Sequence, residues 1–307
     1  MRLSETSIIA WIQQHFPGGA ELTDDCGSIS AQLIPLQAGE TLLVTTDLME
    51  SGQHFRLDWH PPEMLGRKLL MVNLSDLDSS GARPLGFTLT LAVGRDIDPD
   101  LLEKILEALA DTAHEYKIPV IGGDTIGRES GLGLGITAFG AASRWLRRNG
   151  VMENDNIYVD TIPGASHRGL RKLLSGQRWD SASPDPDLLA HLAPNPEIGL
   201  GVKLATFPQI HACMDISDGL SKDLRMLAEA SGLSIIVNAD LCDDSLYGGE
   251  DYSRCFASEL NSESLQELTG RKFHLIARAV SKHDVPLLRH SADMLQPVED
   301  RSFDHMI

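Results

Sequence analysis

Cysteine is scarce in this chain. There are four in 307 residues, Cys26, Cys213, Cys242 and Cys255, and no two form a Cys-x-x-Cys pair. A structural zinc site of the common kind is therefore not expected, and the low count fits a reducing compartment. Basic residues are few as well. Lys and Arg number 26 against 44 Asp and Glu, a formal net charge of −18. A sequence-independent nucleic-acid binder needs clustered Lys and Arg, so that class is set aside. No apolar run is long enough to span a bilayer. Residues 1–10 mix charged and polar groups and lack the apolar stretch of an export signal. The chain is read as cytoplasmic. A Gly-x-x-x-x-Gly-Lys-Ser/Thr loop, a complete Gly-x-Gly-x-x-Gly and the protein-kinase motif set are all missing. Any ATP chemistry here must use another fold.

What is present is a normal hydrophobic share, 42%, enough for a sizeable core, and a length that suits two ordinary domains. Ser4 can cap a helix over 4–16 whose apolar face is Ile8, Ile9, Ile12 and Phe16. Strands are expected over 28–36, 41–46, 85–93, 118–121 and 132–142. Pro61-Pro62 opens a helix to about Ser80, stopped by Gly81, and 98–116 is amphipathic. Composition shifts at Arg147-Arg148-Asn149-Gly150, which divides the chain into 1–148 and 149–307. The second half predicts strands over 156–159, 211–215, 233–237 and 273–280. It predicts helices over 166–174, 196–205 and 219–230, with a polar loop over 175–187. Strands alternate with helices without a clean parallel pattern, so the fold class is α/β of the mixed, α+β kind, in two domains.

The chemistry sits in short aspartate motifs. They are Thr23-Asp24-Asp25-Cys26, Thr45-Thr46-Asp47, Asn73-Leu74-Ser75-Asp76, Gly122-Gly123-Asp124-Thr125, Asp215-Ile216-Ser217-Asp218-Gly219-Leu220 and Gly248-Gly249-Glu250-Asp251-Tyr252. Singly, each has a plain structural explanation. Asp24 and Asp25 suit a turn, Asp47 or Asp215 and Asp218 suit helix caps, and Gly122-Gly123 suits a tight turn. His54 and Arg148 read as a structural histidine and a linker charge, and Tyr252 and Phe303 as core aromatics. Asp76 is harder to dismiss, because a carboxylate inside an apolar helix needs a partner. Together, so many acids at the ends of apolar runs would repel one another without a cation. Mg²⁺ takes oxygen ligands and bridges carboxylates to substrate phosphates.

In order and spacing these motifs resemble the thiamine-monophosphate kinase family, of the superfamily that includes aminoimidazole ribonucleotide synthetase and selenophosphate synthetase. Phe303-Asp304-His305-Met306 resembles that family's aromatic-Asp-His-Phe ending. The resemblance implies a synthetase-like fold. Its N-terminal α/β domain binds ATP and Mg²⁺ and builds a β-barrel with a second copy. Its C-terminal α/β domain closes the nucleotide cleft. It implies several Mg²⁺ ions held by Asp25, Thr45, Thr46, Asp47, Asp76, Asp124, Asp215 and Asp218. It implies nucleotide contacts from Gly123, Asp124, Arg148 and Ser217, and thiamine phosphate contacts from His54, Glu250 and Phe303. The implied partners are ATP, thiamine monophosphate and a second copy of the chain, with no nucleic acid and no membrane. No dedicated catalytic base is expected. The alternatives are a synthetase of the same superfamily with another acceptor, and a non-catalytic nucleotide-binding homologue.

The sequence departs from the family at several points. Thr23 stands where the family has Gly. Ile126 and Gly127 intervene before Arg128. Val159-Asp160-Thr161 replaces Val-Thr-Gly, Ala165 stands where Asp is common, and the segment between Leu241 and Tyr247 is short.

Overall fold

A computed structural model describes residues 4–19, 36–291, 294–299 and 301. Their contacts separate two compact units. One is Met1–Leu77 with Ala82–Ser143, the other Asp78–Gly81 with Arg144–Ile307.

The first unit opens with α1 (Glu5–His15), whose Ser4 cap accepts a hydrogen bond from the Ser7 N–H. Ile8, Trp11, Ile12 and Phe16 are buried, and Ile9 is exposed. Trp11 takes the place expected for Ile9 because i, i+3, i+4 spacing from Ile8 selects 11 and 12. β1 (Thr41–Glu50) runs four residues beyond the expected strand. Then follow α2 (Pro62–Ser79), β2 (Arg83–Gly94), α3 (Pro99–Tyr116), β3 (Val120–Arg128) and β4 (Leu132–Ala142). Asp98 caps α3, and Lys117 ends it in the left-handed region. The described strands form one sheet in the order β1-β4-β2-β3, with β2 and β3 parallel and the other pairs antiparallel. Gly66 lets α2 and α3 meet closely, since a Cβ there would lie 2.1 Å from the Ile105 carbonyl oxygen.

One expectation is corrected here. The strand expected to end at Ile121 continues through Gly122, Gly123 and Asp124 to Arg128. Parallel pairing with β2 carries it on, and β2 passes so near that a Cβ on Gly123 would lie 2.1 Å from the Leu89 carbonyl oxygen. The glycines serve close approach inside a sheet and not a turn. The strand expected over 28–36 falls almost wholly outside the described residues.

The second unit contains β5 (Asn156–Val159), α4 (Ala165–Leu174), α5 (Pro186–Leu192), α6 (Leu200–Ala205), β6 (Ile210–Asp215), α7 (Leu220–Ser231) and β7 (Ser234–Val237). It continues with α8 (Asp243–Tyr247), β8 (Arg254–Ser258), α9 (Ser262–Thr269), β9 (His274–Val280), β10 (Leu287–Ser291) and β11 (Met294–Pro297). Its strands order as β11-β10-β7-β9-β5-β8-β6. Ile157, Val159, Met214, Ile216, Leu220, Leu224, Ile235 and Ile276 share one core cluster. The expected helix over 196–205 is confined to α6, because Gly199 has φ +102° and interrupts any helix from Pro196. α5 starts at the end of a stretch expected to be loop. Asp185 caps it and Pro186 takes the first helical position, an N-terminal pattern that the many polar residues before it obscure.

Beneath β8 lies a fully buried ion pair. Asp78 Oδ2 receives Arg254 Nε at 2.9 Å and Nη2 at 2.8 Å, and both side chains are inaccessible. The Gly199 and Gly201 N–H groups complete the carboxylate's partners at 2.7 and 2.9 Å. Removing the guanidinium leaves a buried, unpaired carboxylate. Arg254→Ala is therefore expected to lower stability by about 3–5 kcal/mol, read as a fall in the denaturant midpoint of the second unit. A midpoint within error of wild type would show that the pair contributes no net stability.

Asp185 also predicts a pH effect. Lys172, bonded to it at 2.8 Å, and the N–H groups at the start of α5 hold its carboxyl at about 2, below the usual 3.8. A depressed carboxylate stabilises the fold above its unfolded pKa and loses that contribution as pH falls through its folded value. Asp185→Asn should thus be less stable at neutral pH and show a shallower fall in melting temperature between pH 4 and pH 2. An unchanged acid slope would remove Asp185 from the acid response.

Candidate active site

In the first unit the motif residues fall on the sheet and on α2. The Thr45 hydroxyl donates to Asp76 Oδ2 at 2.6 Å, which supplies the partner that a carboxylate in an apolar helix requires. Asp47 stands two residues further along β1, on the face that carries Thr45. It lies opposite Ile136, which lies opposite Leu89, which lies beside Gly123. Asp124 is one step out of phase with this row. Its register partners are Thr90, Gly135 and Leu48, so it belongs to the other face, where it accepts the Thr125 N–H. The Thr46 hydroxyl is on that face too, bonded to Thr137 and to the Ile136 carbonyl.

His54 is fixed locally. Its Nδ1 accepts the Glu50 N–H at 3.0 Å. That bond requires Nδ1 to be unprotonated in the neutral ring, leaving the proton on Nε2. Arg128, one residue later than in the family pattern, pairs with Glu50 at 2.7 Å and so reaches the same turn. Asp25 and Phe303 lie outside the described residues.

In the second unit two motifs lie against each other. Asp215 ends β6, and Ile216-Ser217-Asp218 leads into α7. The loop 248–253 is laced to this segment by main-chain bonds. Glu250 N–H donates to Ser217 O at 2.7 Å, Tyr252 N–H to Ile216 O at 2.8 Å, and Ile216 N–H to Ser253 O at 3.0 Å. Gly249 makes this approach possible, since a Cβ there would meet Ser217 O at 2.6 Å. Glu250 and Tyr252 have φ of +62° and +51°. Side chains of this size rarely adopt that region, and each such residue costs on the order of 1–3 kcal/mol. Tyr252, expected in the core, is half-buried. Asp251 anchors the loop by accepting the Gly164 and Ser166 N–H groups, so it meets the start of α4 beside Ala165. Burial pushes the Asp251 carboxyl up, and those N–H groups pull it partly back.

The aspartates of this segment are crowded. Asp215 is buried, and Asp218 pairs with Lys222 at 2.8 Å. Asp223, in the first turn of α7, was not among the sequence candidates. It is wholly buried, and neither carboxylate oxygen has a hydrogen-bond partner among the described residues. Burial first, then the charges of Asp215 and Asp218, push its carboxyl well above the usual range, while Arg148 and the main-chain N–H of Asp218 pull the other way. Its position could have flagged it. Residue 223 lies three after Leu220 and four before Leu227, on the buried stripe of the helix. Arg148 sits in a short 3₁₀ turn, where its carbonyl accepts the Ser231 hydroxyl.

Among the described residues no three His, Cys, Asp or Glu side chains stand close enough to hold a metal ion by themselves. The donor chemistry nonetheless suits a hard cation. The donors are oxygens, and the charges of Asp215 and Asp218 act on the buried carboxyl of Asp223, a repulsion that a divalent cation would relieve.

The fold and these motifs define the class. Residues 23–142 match the family model for AIR synthase related protein, N-terminal domain. A curated thiamine-monophosphate kinase from Salmonella typhimurium is 35% identical over 267 residues, 81% of this chain and 79% of the relative. Another, from Synechococcus elongatus, is 31% identical and spans 99% of this chain and 96% of its own length. The chain belongs to the thiamine-monophosphate kinase family. A solved structure of AaThiL complexed with AMPPCP and TMP matches with a TM-score of 0.75 over 98% of both chains at 24% identity, a likeness of fold. No helix among the described residues is long and apolar enough to cross a membrane.

Proposed function

We infer that this protein transfers the γ-phosphoryl group of ATP to the phosphate of thiamine monophosphate, forming thiamine diphosphate and ADP. The curated relatives carry the name of that activity, and the structural neighbour AaThiL is complexed with AMPPCP and TMP. The observation that carries it in this chain is the lacing of the 248–253 loop to Ile216 and Ser217. It joins Glu250, proposed for the substrate, to Ser217, proposed for the nucleotide, by one main-chain hydrogen bond.

An acceptor phosphate oxygen attacks Pγ, and the bond from Pγ to the bridging oxygen of ADP breaks with its electron pair leaving on ADP. Such transfers depend on positioning and charge neutralisation. The acceptor has a second pKa of ~6, so it is largely ionised near neutral pH and no side-chain base is required. Mg²⁺ bound here would neutralise phosphate charge and orient both substrates. Several Mg²⁺ ions are proposed, with Asp25, Thr45, Thr46, Asp47, Asp76, Asp124, Asp215 and Asp218 as their candidate ligands; Thr46 and Asp124, on the sheet face opposite Asp47, would not share an ion with it. Gly123, Asp124, Arg148 and Ser217 receive the nucleotide. His54, Glu250 and Phe303 receive the thiamine phosphate, Phe303 by stacking on a cationic ring. The functional division into 1–148 and 149–307 is part of the same proposal, as is a cytoplasmic location, which the scarcity of cysteine supports.

A homodimer is included. On β1, Leu42, Val44 and Leu48 are 41, 57 and 58% exposed and alternate with buried Leu43 and Met49. An apolar sheet face of this kind is suited to a second copy. Val44→Asp with Leu48→Asp is expected to halve the sedimentation mass, and an unchanged mass would exclude this face.

The activity is tested by chromatography of a mixture of purified protein, ATP, Mg²⁺ and thiamine monophosphate. A magnesium-dependent thiamine diphosphate peak is expected. Its absence, with ATP binding still seen by calorimetry, would mean a different acceptor. Asp47→Asn and Asp215→Asn should each lower turnover at least about a hundredfold with melting temperature retained. Full turnover in both would remove these carboxylates from the metal set.

A further inference from the structure

One buried histidine outside every motif touches the substrate-side loop. His191 lies on α5 and is 6% exposed. Its Nδ1 stands 3.2 Å from Glu250 Oε2 and 3.1 Å from Ser166 Oγ. With its proton on Nδ1 the ring donates to the Glu250 carboxylate, which when ionised only accepts, and the Ser166 hydroxyl stands beside the same nitrogen. Ser166 is itself held, because its N–H donates to Asp251 in the same loop. Glu250 is thus gripped at both ends, its main chain by Ser217 O and its side chain by His191. Its side chain is still 29% exposed.

We propose that His191 is a positioning residue that holds the Glu250 carboxylate in the orientation that receives the thiamine half of the substrate. This rests on the assignment of Glu250 to substrate contact made above. Thiamine offers a carboxylate a cationic thiazolium ring and an aminopyrimidine N–H. A glutamate side chain free to rotate must be ordered when either binds, and one already held by a buried, directional donor escapes that cost. α5 supplies the donor although it contains no part of the recognisable motifs. The side-chain contact is to a residue proposed for the thiamine substrate and not to Gly123, Asp124, Arg148 or Ser217, so its loss is expected on KM for thiamine monophosphate and not on KM for ATP.

The test compares steady-state kinetics of His191→Phe, His191→Asn and Glu250→Gln with wild type, alongside melting temperature. Phenylalanine keeps the ring without the donor. Asparagine places an N–H close to the position of Nδ1. His191→Phe should raise KM for thiamine monophosphate roughly ten- to a hundredfold, the loss of one hydrogen bond to a charged group, and leave KM for ATP unchanged. His191→Asn should recover most of it, and His191→Phe with Glu250→Gln should be no worse than Glu250→Gln alone. A raised KM in Glu250→Gln with a normal one in His191→Phe overturns the proposal alone. A normal KM in Glu250→Gln overturns the substrate assignment of Glu250 and the proposal with it. Equal rises for both substrates mean a structural role and overturn the proposal. Should the phenylalanine variant not fold, His191→Gln replaces it, since it carries its donor past the position of Nδ1. A KM raised in Gln but not in Asn supports the proposal, and equal values overturn it.

Discussion

The buried pair of Asp78 and Arg254 is the constraint on which the second unit depends. Taking two charges out of water is costly, and their attraction offsets that cost only when every remaining donor and acceptor is satisfied. Here the carboxylate has two glycine N–H groups as well as the guanidinium. The guanidinium also donates to the Tyr252 carbonyl at 2.9 Å and to the Glu197 carbonyl at 3.3 Å. Asp160 accepts the Arg254 main-chain N–H. Burial alone would lower the Arg254 pKa, but the charges of Asp78, Asp215 and Asp160 outweigh it and hold the side chain ionised. The pair joins residues 78, 160, 197–201 and 252–254 around one point. Gly201 is required there, since a Cβ would lie 1.7 Å from the Asp78 carbonyl oxygen.

That point is next to the chemistry. Arg254 is the register partner of Asp215 across β8 and β6, so the carboxylate proposed for the metal has a fixed positive charge beside it. The same guanidinium holds Tyr252, the second left-handed residue of the loop 248–253. Backbone strain of this kind persists only where surrounding contacts over-determine it. Here the contacts are the lacing to Ile216 and Ser217, the Asp251 bonds to the start of α4, and Arg254. Asp223 is the opposite case, a buried carboxyl that burial and the charges of Asp215 and Asp218 push toward its neutral form.

The first unit divides its labour by face. Alternation along β1 sends Thr45 and Asp47 to the side of α2, where Thr45 meets Asp76, and sends Val44 and Leu48 outward. A shift of one residue in strand register would exchange the two sets. The glycines Gly122 and Gly123 belong to this division, because they let β3 continue alongside β2 and carry Asp124 out of phase with Asp47.

The sequence by itself determined the family, the mixed α/β class and the long elements of the first unit. α2, α3 and β4 could be read from the periodicity of Leu65, Leu69, Val72 and Leu77, from the amphipathic run after Asp98 and from the apolar stretch after Leu132. Helix and strand periods are local properties, as is the need of Asp76 for a partner. What only the tertiary structure decided depends on contacts between residues distant in the chain. β8 escaped the sequence because its first residue, Arg254, is an arginine whose burial is possible only with Asp78, 176 positions away. The continuation of β3 through its glycines was set by pairing with β2. His191 and Asp223 carry no motif, and burial against the loops of Glu250 and Asp215 is what gives them a role.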